Sequence, residues 1–162
     1  MIPLDQMSKT SLLVKIYYIG YNLSIKHMNQ TVKNILILIG AAIVGGLVNM
    51  GIIMVSGSII PPPAGVDPSD MESIKANIHL YEAKHFIFPF LAHALGTLAG
   101  AFIAAKYTSE SRMMWALVVG AFFLIGGIMA ATMIPAPSWF IALDIIAAYI
   151  PMAWIGGKLG IK

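Results

Sequence analysis

The chain has 162 residues, 59% of them hydrophobic and only 10% charged, with no cysteine and a formal net charge of +3. A mean hydropathy of +0.84 is too high for a water-soluble globule, in which about 25% of residues are charged, and equally too high for a disordered chain. The basic residues are scattered and form no tract that could follow a phosphate backbone, which sets nucleic acid aside as a partner. Without cysteine there is no disulfide framework, thiolate metal site or thiol redox centre. The composition is that of an all-α integral membrane protein.

Residues 1–31 form a cytoplasmic tail or surface helix. Within it Ser11–Leu23 is moderately apolar, but it is interrupted by lysine and too short to span. No small-residue cleavage site follows it, so it does not read as a signal peptide. Two readings of residues 1–27 stay open: a membrane-surface helix rich in Tyr and Lys, or a segment upstream of a true start at Met28. The second is preferred.

A spanning helix needs about 20 apolar residues to cross roughly 30 Å of hydrocarbon, and four segments meet that requirement. The first covers residues 32–60 and is stopped by Pro61-Pro62-Pro63. Residues 61–85 are an outer loop. In it Asp67 is placed to cap a helix that has Pro68 at its first position and Asp70 and Glu72 in its first turn. Met71, Ile74, Ile78 and Tyr81 then recur at helical spacing, which predicts a short amphipathic helix from Pro68 to about Ala83. The second span covers residues 86–106. A cytoplasmic loop, 107–112, leads to the third span, 113–134, and an outer turn, 135–138, to the fourth, 139–157. Residues 158–162 are a cytoplasmic tail. Eight of the ten basic residues fall on the side of the two termini: Lys9, Lys15, Lys26, Lys33, Lys106, Arg112, Lys158 and Lys162. The positive-inside rule therefore puts both termini in the cytoplasm, and Trp115, Trp139 and Trp154 stand at helix ends as an interfacial belt would. The expected architecture is a four-transmembrane-helix bundle in a bacterial cytoplasmic (inner) membrane.

In lipid, helices associate by close packing of small residues. The clearest ridge is Ala92, Gly96, Gly100 and Ala104 on the second span. It serves either packing within the chain, the preferred reading, or a homodimer. The eleven methionines are spread along the chain as packing filler rather than gathered as a soft-metal site.

Ionisable residues inside a span are expensive and point to function. Asp144 is the only one among Asp, Glu, Lys and Arg that lies well inside a span, and His93 is the only such histidine. At 1.5 Å rise per residue, Asp144 lies roughly 8 Å, His93 roughly 10 Å and Asn49 roughly 15 Å below the outer ends of their helices. With Thr97 and Thr132 at compatible depth, these five form an expected ligand-binding cluster open to the outer face. Pro151 adds a kink by freeing a carbonyl near Ala147. A sharper alternative is a metal site for zinc or iron. Glu82 and His85 have the Glu-x-x-His spacing of di-iron bundles, and His79 and His93 complete a chemically adequate ligand set. No serine nucleophile elbow or phosphate loop occurs, and no catalytic residue is assigned.

Three functions are consistent with these residues. The leading one is binding or transport of a small solute through the polar cluster, either alone or as an accessory subunit. The second is a membrane-embedded metalloenzyme with its His/Glu site at the outer face. The third is a purely structural subunit of a larger membrane complex, in which the polar cluster only fixes helix register.

Overall fold

The computed structural model describes residues 12, 14–17 and 29–162. Both readings of residues 1–27 fall almost wholly outside these residues. The chain divides into two units, Met1–Lys33 and Asn34–Lys162. The described residues are helical, without strands. From residue 29 onward, six α-helices run in chain order: α1 (Gln30–Ile59), α2 (Met71–Ala76), α3 (Ile87–Tyr107), α4 (Arg112–Met133), α5 (Ser138–Ala147) and α6 (Ile150–Ile161). Short 3-10 turns at Ile78–Leu80 and Ala83–Phe86 join α2 to α3. Among the described residues four stretches are long and apolar enough to cross a membrane: α1, α3 with the turn before it, α4, and α5 with α6. Large side chains such as Leu47, Met54, Phe122, Ile125 and Ile146 stand exposed along them. A surface of that kind is untenable in water and is ordinary in lipid.

Small residues line the seams between these helices. Gly45 of α1 and Gly96 of α3 face each other so closely that a Cβ at Gly45 would stand 2.6 Å from the Gly96 carbonyl oxygen, and one at Gly96 would stand 2.8 Å from that of Gly45. One turn along, Gly100 meets the Ala41 carbonyl in the same way. The ridge Ala92–Gly96–Gly100–Ala104 is thus buried within the chain, with Ala92 and Ala104 fully enclosed. Part of that surface is occupied by α1. A second seam joins α6 to α3, where Gly156 and Gly160 lie on the carbonyls of Leu98 and Phe102. Backbones that approach this closely gain dispersion contacts where the hydrophobic effect offers nothing.

The segment between α1 and α3 differs from the expected Pro68–Ala83 helix. Asp67 is not the cap: its carboxylate accepts the Ser69 N–H at 2.8 Å in a local turn. Asp70 caps α2 instead by accepting the Glu72 N–H at 3.0 Å. Asn77 ends the helix after six residues, its side-chain amide donating to the Ser73 carbonyl at 2.9 Å. Short polar side chains that bond the neighbouring backbone compete with helix propagation, and here they limit it to less than two turns.

The fourth spanning stretch is broken. Pro151 has no N–H for the Ala147 carbonyl, and its ring crowds that carbonyl. Helix α5 therefore stops at Ala147, and α6 begins at Ile150 with proline in its first turn. At the opposite end of the helices, Arg112 joins two termini. Its guanidinium donates to the carbonyls of Ala105 and Lys106, where α3 ends, and to those of Gly160, at 2.6 Å, and Ile161, where α6 ends. These carbonyls have no intrahelical partner and carry the negative end of the helix dipole. Replacing Arg112 by Ala is expected to lower stability in detergent by about 2 kcal/mol, the scale of charge-assisted hydrogen bonds. Lysine, a point donor without the planar fork, should restore less than half of that loss. Thermal unfolding of the three proteins in one detergent checks both expectations.

Candidate functional site

Two polar side chains from different helices meet between the spans. The Nδ1 of His93, on α3, lies 2.9 Å from each carboxylate oxygen of Asp144 on α5. Asp144 is only 5% exposed. A third group completes its shell: the Tyr149 hydroxyl donates to Asp144 Oδ2 at 2.8 Å. Tyr149 is 2% exposed, and its ring lies 5.7 Å from that of His93, centroid to centroid, at a shallow tilt of 30°. In an unbroken helix, residues five apart point about 140° away from each other. The break at Ala148–Tyr149 is what returns Tyr149 to Asp144. Gly127 of α4 provides the room, since any Cβ there would collide with the Tyr149 phenol.

Beside this triad is a cavity of about 340 Å³. His93, Asp144 and Gly127 are in its wall. Most of the remaining lining is apolar, drawn from the loop-side halves of α1, α4 and α5, for example Ile53, Ala131 and Ile141. The α2 region contributes Ile74, Ile78 and Tyr81, followed by His85 and Phe86. Three of the four residues expected on the amphipathic stripe therefore line the cavity, whereas Met71 is exposed. Phe86 packs against Phe140 at 4.7 Å between ring centroids and edge-on against Trp139 at 5.7 Å, tying the start of α3 to α5. Partial burial holds the Tyr81 phenol above its ordinary range, so it keeps its proton at neutral pH. Glu82 is held below the usual carboxylate range by the Lys84 ammonium, which bonds it at 3.0 Å.

The other expected site residues are not gathered here. Asn49 lies half-buried against Gly96, and among the described residues no hydrogen bond joins it to His93 or Asp144. Thr97 is 1% exposed; it does not line the cavity, and its hydroxyl has no hydrogen-bond partner among the described residues. Thr132 is exposed and donates back to the Met129 carbonyl at 2.7 Å. The expected metal set does not converge. His79 is exposed, and Glu82 and His85 cap each other's backbone around the Ala83–Phe86 turn. Among the described residues no three His, Asp or Glu side chains stand together as a zinc or iron site requires.

Tyr149 was not among the residues the sequence singled out for the site. Its signal is Pro151, two residues on, read not only as a kink but as the break that brings residue i+5 to face residue i. No protein family, curated protein or solved structure matches the chain.

If the triad holds as one unit, removing the Tyr149 hydroxyl with Phe should cost about 1 kcal/mol. Gly127→Ala should cost more, roughly 1–3 kcal/mol, because the tyrosine must move from a packed position. Thermal unfolding in detergent should rank the proteins wild type, then Tyr149→Phe, then Gly127→Ala.

Proposed function

We propose that this protein is a four-helix bundle of a bacterial cytoplasmic membrane that binds a small, largely apolar solute within its outer half, as a carrier or as the accessory subunit of one. The observation that carries this reading is the cavity of about 340 Å³ with a carboxylate–imidazole pair in its wall, the carboxylate buried and the imidazole partly so. Binding sites for small molecules are typically apolar hollows of about 300–1,000 Å³ with a few fixed polar groups, and this cavity is at the small end of that range. A polar network that served only to lock helices together would need no hollow beside it. Both termini are cytoplasmic in this reading, by the weight of Lys and Arg on that side. The residues from Asp67 to Phe86 then face outward above the cavity.

A chain without cysteine gives a clean test of orientation. A cysteine at Ser69, which is exposed, should react in intact cells with a thiol reagent that cannot cross membranes. One at Glu110, exposed between α3 and α4, should react only after lysis. The reverse pattern overturns the orientation.

Cavity binding is tested by filling it. Ala131→Phe adds a ring to the wall of the cavity and keeps both His93 and Asp144. Native mass spectrometry of protein released from membranes in mild detergent should find a small molecule retained by the wild type and absent from Ala131→Phe. Equal retention by both proteins, or retention by neither, counts against the reading.

A further inference from the structure

Helices pack by ridges of residues four apart. One such ridge of α1, formed by Ala41, Gly45, Asn49, Ile53 and Gly57, begins against the bundle and ends in the cavity wall, which includes its last two members. Ala41 is wholly buried, and a Cβ at Gly45 would collide with the Gly96 carbonyl and the Phe123 ring. Asn49 is half-buried and Ile53 is 38% exposed. Gly57 is exposed, with open space where its Cβ would stand. No residue of α1 beyond Gly45 is buried. The helix is therefore held tightly in its first half and stands clear of the bundle in its second, beside the cavity.

What stands outside that half of α1 is hydrocarbon. Met50, Met54, Val55 and Ile59 are exposed around it, and Ile53 lies roughly 9 Å from the helix end, near the depth of His93. Elsewhere the cavity is better closed. Phe86, Phe140 and Trp139 pack ring against ring between α3 and α5, and the segment before α3 adds Ile74, Ile78 and Tyr81 to the wall. The lining is aliphatic in the main, with seven isoleucines. Both Asp144 oxygens lie within hydrogen-bond distance of partners in the protein. Among the described residues the one buried side-chain polar atom without a partner is the Thr97 hydroxyl, which is not in the wall. No buried polar atom of the wall is thus left for a ligand to satisfy, whereas branched aliphatic side chains offer dispersion contacts to methylene groups.

We propose that the cavity opens sideways along the second half of α1 and takes one acyl chain of a membrane lipid, the polar end of that lipid staying at the membrane surface. This rests on the cavity-binding reading above and names its occupant: a molecule that arrives from the bilayer rather than from water.

The test uses the full chain in lipid nanodiscs doped with a phosphatidylcholine that carries a photoactivated diazirine on one acyl chain, the labelled residues being mapped by peptide mass spectrometry. Phe86, Phe140 and Asp144 line the cavity and are only 7%, 8% and 5% exposed, so a chain lying on the outside of the protein does not reach them. Phe122 and Ile125 are exposed on α4 and outside the cavity, and they report contact with bulk lipid. In the wild type the lipid should label both sets. Ala131→Phe should lose the cavity set and keep the outer one. Gly57→Phe, which puts a ring into the open space at the mouth, should lose more than half of the cavity labelling and keep the outer set. Thermal unfolding of both variants checks that the fold is retained. A further readout needs no variant: the same diazirine on a charged, water-soluble carrier should label none of the three cavity residues in the wild type. Cavity labelling by the water-soluble reagent and not by the lipid overturns the acyl-chain assignment and leaves the cavity reading intact. The same holds if the lipid labels only Phe122 and Ile125 while native mass spectrometry finds a small molecule retained by the wild type and absent from Ala131→Phe. Equal cavity labelling in the wild type and Gly57→Phe overturns the opening along α1. No cavity labelling by either reagent, with no molecule retained, overturns the acyl chain and the cavity reading together.

Discussion

A carboxylate held at 5% exposure among apolar helices sets most of what surrounds it. Asp144 is intolerable there alone, since an unpaired charge in a low-dielectric interior loses far more hydration than it regains. It therefore requires His93 from the neighbouring helix and a second donor from Tyr149. Tyr149 can reach it only because Pro151 breaks the helix between α5 and α6, and it fits only because α4 carries glycine at 127. One expensive group thus depends on four helices and a chain break. The cavity lies beside the place where these requirements meet.

The distribution of small residues explains why the hollow forms at that end. Toward Arg112, glycine and alanine draw α3, α4 and α6 into backbone contact, with Ala101, Ala105, Ala116 and Ala153 fully enclosed. Toward the loop between α1 and α3, larger side chains such as Phe86, Phe140 and Tyr149 take their place. Gly51 and Gly57 of α1 have no neighbour close enough to meet a side chain there. The cavity lies among these larger side chains, with Phe86 and Phe140 in its lining.

The apolar spans were legible in the sequence because their signal is additive over about 20 residues and owes little to tertiary context. So was the likelihood of meeting between Asp144 and His93, since each had to find a partner and their depths agreed. The polar neighbours were less so. Depth says nothing about rotation around the helix axis, and so Asn49, Thr97 and Thr132 lay at suitable heights without joining the pair. The outer segment was misread for a local reason. Asp67 and Asp70 are equally good caps in composition, and the choice fell to whichever backbone N–H each carboxylate could reach. The Glu-x-x-His motif was misread for a related one: Glu82 and His85 are three apart in a 3-10 turn, where they bond each other's backbone rather than projecting toward a shared ion. Tyr149 was hidden because helical periodicity, applied across Pro151, points it away from the residue it touches.

The break at Ala148–Tyr149 also divides the last span into two pieces with different mechanical duties. Helix α6 is pressed against α3 and α4 along its length, whereas α5 touches those helices sparingly. The piece that bears Asp144 and part of the cavity wall is therefore joined to the rigid end through Ala148 and Tyr149, which lie between the two helices and bond one to each: the Ala148 N–H to the Asp144 carbonyl, and the Tyr149 carbonyl to the Ala153 N–H. On the proposed binding reading, a small rotation of α5 about that joint would adjust the cavity to its guest and leave the glycine seams and the Arg112 clasp undisturbed. Tolerance of shape and permanence of fold are assigned to opposite ends of one polypeptide span.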